Sequence, residues 1–154
     1  MLSKKFLLKG GIIIIKKISW NEFGKRMKLV FGKDFKNVDE LYFNVVKQIN
    51  FGEGAEFEDL EVVIMLEKLN KLNGHLHVIT DYCYENKCGP FVLDANEIKT
   101  FVKSFRKIYK QSFYSTDVVI VNFEEKIIWV FFHEGICWLT KGKFNDGDSV
   151  KIFS

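Results

Sequence analysis

At 154 residues and 47% apolar content, the chain is long enough to bury one core without staples and too apolar to be disordered. Its net charge of +3 is too small to mark a nucleic-acid binder by itself. The charge is segregated, however. Residues 1–36 carry ten basic and two acidic groups, and residues 37–67 one basic and eight acidic, a pattern that steers partners.

The N-terminus has the outline of a signal peptide, but Lys9 interrupts the apolar run, Lys16 and Lys17 close it, and no small-residue cleavage site follows. No window approaches the roughly 20 apolar residues of a membrane span. The expectation is a cytoplasmic protein with no membrane partner. Leu2–Leu8 has no clear assignment. Gly10-Gly11 before Ile12–Ile15 suits a short buried strand, because four β-branched residues in a row disfavour helix.

Ser19-Trp20-Asn21-Glu22 is a capping box, and Trp20, Phe23, Met27, Val30 and Phe31 then share one helical face. Asn37-Val38-Asp39-Glu40 repeats that signature. It predicts a second helix with Val38, Leu41, Tyr42, Val45 and Ile49 inward. After the loop Phe51–Gly54, a third helix follows with Leu60, Val63, Leu66, Leu69 and Leu72 on its stripe, Asn73-Gly74 as its stop and acidic residues at its start, where the helix dipole favours them.

His75–Tyr82 reads as a strand, Glu85-Asn86-Lys87 as a turn and Phe91-Val92-Leu93 as the returning strand. Asp94-Ala95-Asn96-Glu97 is a third capping box, opening a helix with Phe101, Val102 and Phe105 buried. Residues 117–140 then give three strands broken at Glu124-Glu125 and Glu134-Gly135. Neither face of the middle strand, Ile127–Phe132, alternates to polar. Val150–Phe153 adds a last strand after the turn Asn145–Asp148. Grouped helices and terminal hairpins predict one domain over residues 1–154 of class α+β, a mainly antiparallel sheet with a C-terminal meander packed against about four helices.

Candidate chemistry is sparse. His75, His77, Cys83 and Cys88 offer nitrogen and sulfur ligands, but the spacing H-x-H-x5-C-x4-C matches no common zinc motif. Buried thiols and edge histidines are the plainer reading, so neither metal nor cofactor is assigned. His133-Glu134 lacks the second histidine of a metalloprotease helix. A Cys137–His133 nucleophile pair would lack an orienting third group, and an Asp117–Glu134 acid–base pair has nothing to single it out. No phosphate loop and no nucleophile elbow occur. The expectation is a protein that is not an enzyme. With three cysteines, an odd number, free thiols are expected.

The most specific feature is the acidic run Glu53, Glu56, Glu58, Asp59, Glu61 and Glu67, with no base between Phe51 and Glu67. It would attract a basic protein and imitate a phosphate chain. Tyr82, Tyr84 and Trp138 are candidate aromatic anchors beside it.

In its size, its Lys/Asn/Ile/Phe-rich composition, its lack of catalytic signatures and its hairpin-rich end VVIVNFEEKIIWVFFHEGICWL after an aromatic helix, the chain resembles the small cytoplasmic immunity proteins of contact-dependent growth inhibition systems. That resemblance implies a non-enzymatic protein that binds a cognate toxin domain, often a nuclease, and blocks its active site or substrate groove, with no direct nucleic-acid contact. The competing class is a nucleic-acid- or metal-binding module with hydrolase activity. It would use the basic residues Lys16, Lys17, Lys25 and Arg26.

Overall fold

The computed structural model describes residues 2–8 and 11–142; the expected strand Val150–Phe153 and the turn before it lie outside them. Eight strands form one sheet: β1 (Leu2–Leu8), β2 (Gly11–Lys17), β3 (Val45–Asn50), β4 (His75–Ile79), β5 (Phe91–Asp94), β6 (Val118–Asn122), β7 (Ile127–Phe132) and β8 (Ile136–Lys141). Their spatial order is β1-β2-β5-β4-β6-β7-β8-β3, and every pairing is antiparallel. Four helices accompany them: α1 (Trp20–Phe31), α2 (Asp59–Leu69), the short α3 (Asp81–Glu85) and α4 (Ile98–Tyr109). The class is α+β, as the sequence predicts.

Two rows of side chains cross the sheet. Lys17, Phe91, Val78, Ile120, Trp129 and Leu139 are cross-strand neighbours on one face; Lys16, Val92, His77, Val121, Ile128 and Thr140 are neighbours on the other. The first row lies under α2 and α4. Trp129 Nε1 donates to the Asn70 carbonyl at the end of α2, and Phe91 packs edge-on against Phe101 and Phe105 of α4. The second row lies under α1 and a one-turn 3-10 helix, Val38–Leu41. Phe23 packs against His77, and the Leu41 carbonyl accepts from both Thr140 Oγ1 and Trp138 Nε1. Cover on both faces is the physical reason β7 lacks polar alternation.

That cover ends at the β1–β2 hairpin. Phe6, Ile13 and Ile15 turn toward the α4 side, where Phe6 meets Tyr109. Leu7, Ile12 and Ile14, on the opposite face, stay exposed.

Three sequence expectations are corrected. The predicted helix after Asn37 stops after one 3-10 turn, although Asn37 Oδ1 does cap it by accepting from the Glu40 amide. Asn44 takes a left-handed φ of 46°, and Val45–Asn50 then pairs with β8 as an edge strand. The β-branched pair Val45-Val46 and the open edge of β8 outweigh a fortuitous helical spacing. The helix expected to reach the Asn73-Gly74 stop ends at Leu69, where Asn70 turns extended, and the strand expected to run to Tyr82 ends at Ile79, because Thr80 caps α3. Leu2–Leu8, unassigned from sequence, pairs along its whole length with β2.

Two close approaches fix one end of the sheet. A Cβ on Gly89 would sit 1.9 Å from the Ile18 carbonyl oxygen, and one on Gly135 2.5 Å from the Gly52 carbonyl carbon. Both glycines also have positive φ, so the β2–α1 and β3–α2 connections are pressed against turns where no side chain fits.

Candidate functional site

Sheet register determines which loops share an end. Asn50 opposes Ile136, Phe132 opposes Ile136, Val118 opposes Phe131, and Ile79 opposes Val119. The segments leaving those positions, residues 51–58, 80–85, 114–117 and 133–135, therefore meet at one end of the molecule, together with the start of the 3-10 helix. They bring Asp39, Glu53, Glu56, Asp81, Asp117 and Glu134 to a common rim.

At its centre is an open depression of about 470 Å³, lined by Asp39, Asp81, Asp117, Glu134, His133, Tyr84 and one lysine, Lys36, among others. The lining is ordered by its own hydrogen bonds. Asp81 accepts from the Thr116 amide at 2.7 Å and from the Thr116 hydroxyl. Asp117 Oδ1 accepts from the His133 amide at 3.1 Å and lies 3.0 Å from His133 Nδ1. The hydrogen bond to Asp117 raises the His133 pKa above its ordinary value, and the Asp117, Glu134 and Asp39 charges add to it. Among the described residues no lysine or arginine is ion-paired with Asp39, Glu53, Glu56, Asp81 or Glu134.

A second depression of about 290 Å³ adjoins the first through Lys36 and Tyr84. Trp20 lies nearly parallel to Tyr84, centroids 5.1 Å apart, and to Phe35 at 6.0 Å. Tyr84 is 39% exposed and belongs to both depressions. The rim thus joins carboxylates to accessible aromatic faces, a combination suited to guanidinium and ammonium groups.

The sequence-predicted residues fall into three sets. Glu53 and Glu56 are exposed on the rim. Glu58 and Glu61 form the capping box of α2, the Glu58 amide donating to Glu61 Oε1 at 2.9 Å. Asp59 is structural: its two oxygens accept from the Phe113 and Tyr114 amides at 3.0 and 3.1 Å. Asp59→Ala leaves both donors unpaired and is expected to cost about 2–3 kcal/mol in urea unfolding, against a smaller loss for Asp59→Asn. Of the aromatic candidates, Tyr84 reaches the rim. Tyr82 is half-buried beneath Lys17 and against Tyr109, and Trp138 is buried with its indole N–H on Leu41. Trp138 therefore presents no face to a partner, and Tyr82 is engaged by Lys17 and Tyr109.

The other constellations do not assemble. His75 pairs with Asp94, at the opposite end of β4 from α3, and His77 is buried with Nε2 toward Arg26 at 3.5 Å. Cys83 and Cys88 lie beyond the strand's other end, so the four side chains make no common ligand set; among the described residues no group of three or more potential ligands converges. Cys137 points to the α2 face beside Phe131, its thiol pushed up to about 11 by burial, and no hydrogen bond joins it to His133. The basic residues do not form one stripe. Lys4 and Lys5 leave opposite faces of β1, and the Lys17 ammonium lies over the rings of Tyr82, Phe91 and Tyr109.

Sequence reasoning found Glu53 and Glu56 but missed Asp39 and Asp81 and set aside Asp117, His133 and Glu134. Nothing local marks them, since only the register of distant strands brings them together. Among the described residues no helix is long and apolar enough to cross a membrane. No protein-family model, curated protein or solved structure matches the chain.

Proposed function

We propose that this is a non-enzymatic, cytoplasmic immunity-type protein that captures a basic toxin domain, a nuclease, on the acidic rim and covers its active site or substrate groove. The observation that supports this reading is the collection of carboxylates from separate segments at one end of the sheet, beside the exposed Tyr84; among the described residues only His133 is ion-paired with any of them. Like charges held together oppose folding. An open surface that gathers them with few bases to balance them is suited to docking a cationic protein.

The test uses Glu53→Lys, Glu56→Lys and Glu134→Lys together, because none of the three has a structural hydrogen bond among the described residues. Wild-type protein and the triple variant are used side by side to capture partners from cells of the native host, and association rates are then measured with the purified partner. Wild type is expected to retain a basic toxin domain and to protect against it. The variant should associate at least about tenfold more slowly at low salt, with the difference narrowing as salt rises. Equal rates for both proteins, or recovery of nucleic acid in place of a protein, would remove the reading.

A further inference from the structure

Behind the rim, the segment from α3 to β5 carries two cysteines joined through their backbone. The Cys88 amide donates to the Cys83 carbonyl at 3.2 Å, closing the backbone between them. This brings the two residues to the close spacing that a disulfide requires. The Cys83 side chain is buried, with its sulfur 3.5 Å from the Thr80 amide and its S–H directed at the Val78 carbonyl at 3.8 Å. Cys88 is half-buried, and its thiol faces the Gly89 carbonyl at 3.5 Å. The positive charge of Lys17 acts on it from β2. The position of Lys17 is fixed by three rings, with its ammonium 5.3–5.4 Å from the centroids of Tyr82, Phe91 and Tyr109.

We propose that Cys88 is a reactive thiol and Cys83 its resolving partner, a dithiol site that exchanges with low-molecular-weight disulfides. The arrangement separates the two roles. The neighbouring Cys83 side chain and the Lys17 charge hold the Cys88 thiol below an ordinary thiol, whereas burial pushes Cys83 upward. The accessible sulfur is therefore the nucleophile at neutral pH, and the buried one waits as a thiol.

In the first step the Cys88 thiolate attacks one sulfur of R–S–S–R. A bond forms between Cys88 and that sulfur, the R–S–S–R bond breaks, and RS⁻ leaves. Cys83 Sγ then attacks Cys88 Sγ, giving up its proton as the second RS group departs, so that two RSH are released in all. The chain's two thiols lose two electrons and the disulfide gains them. Cys137, buried in the α2 interface with a raised pKa, has no part in it.

The experiment treats the folded full chain with oxidised glutathione at neutral pH, then denatures it and counts the remaining thiols by alkylation and mass spectrometry. Untreated chain should label at all three cysteines. Treated wild type should label at Cys137 alone and carry no glutathione. Cys83→Ala should retain one glutathione on Cys88, and Cys88→Ala should react about tenfold more slowly or less. The iodoacetamide rate of the wild type should rise with pH about a midpoint below that of an ordinary thiol, and Lys17→Met should move that midpoint upward. Three free thiols after treatment, or glutathione settling on Cys137, would overturn the proposal. The wild-type count needs no substitution, so it decides the matter even if Cys83→Ala fails to fold.

Discussion

Trp129→Ala is expected to lower unfolding free energy by roughly 4 kcal/mol, a large part of the roughly 5–15 kcal/mol that holds a domain of this size together. Trp129 is fully buried at the middle of β7, between Ile120 and Leu139 in the row beneath α2. Truncation removes the largest side chain of that interface and leaves a cavity that neighbouring strands, locked in register, cannot close. It also strands the Asn70 carbonyl, which accepts the indole N–H at 3.0 Å where α2 ends. Trp129→Phe refills most of the volume but not the hydrogen bond, and should cost about 1–2 kcal/mol. Urea midpoints at constant m-value measure both. A loss below about 1 kcal/mol for the alanine variant would mean that the α2–sheet interface is not a principal source of stability.

The second large effect is acid lability set by His77. This side chain lies in the row beneath α1, against Phe23 and Phe123. Arg26 Nη1 faces Nε2 at 3.5 Å, which places the imidazole proton on Nδ1, and Nδ1 is buried without a partner. Burial first, then the Arg26 charge and that of His75, lower its pKa to about 4 from 6.5. In the unfolded chain the same group takes a proton near 6.5, so between these values the unfolded state binds more protons than the folded one. The contribution is complete above pH 6.5 and is lost as pH falls toward 4, about 3 kcal/mol over the window. His77→Leu removes the titration. Its stability should therefore decline less than that of wild type over the same range, and parallel decline of the two proteins would remove His77 as the cause.

Much of this architecture is legible in the chain. Ser19, Asp94 and the acidic first turn after Glu58 mark three helix starts correctly, because capping is a local contract between neighbours. The C-terminal meander is legible for the same reason: its turns join consecutive strands. Where partners are distant the sequence misleads. Val38, Leu41, Val45 and Ile49 satisfy a helical period, but Ile49 faces Cys137, and no local pattern announces that. The rim has the same character. Glu53 and Glu56 stand out because they are crowded in sequence, whereas Asp39, Asp81 and Glu134 become neighbours only through register. Crowding also misdirects, since Asp59 and Glu61 sit in the acidic run and serve the chain's own amides.

The strand order has a consequence for the order of synthesis. The sheet's middle pair, β4 and β6, joins residues 75–79 to residues 118–122, and β3 pairs only with β8, whose first residue is Ile136. A chain emerging from the ribosome can lay down β1, β2, β5 and β4 as a connected half-sheet, while Val45–Asn50 waits without a partner until nearly the last of the described residues have appeared. The loop carrying Glu53 takes its place only when Gly135 arrives to accept the Phe51 amide. Half of the acidic rim is therefore assembled only after Gly135 has emerged, and nascent chains that stop short of it carry the other half alone.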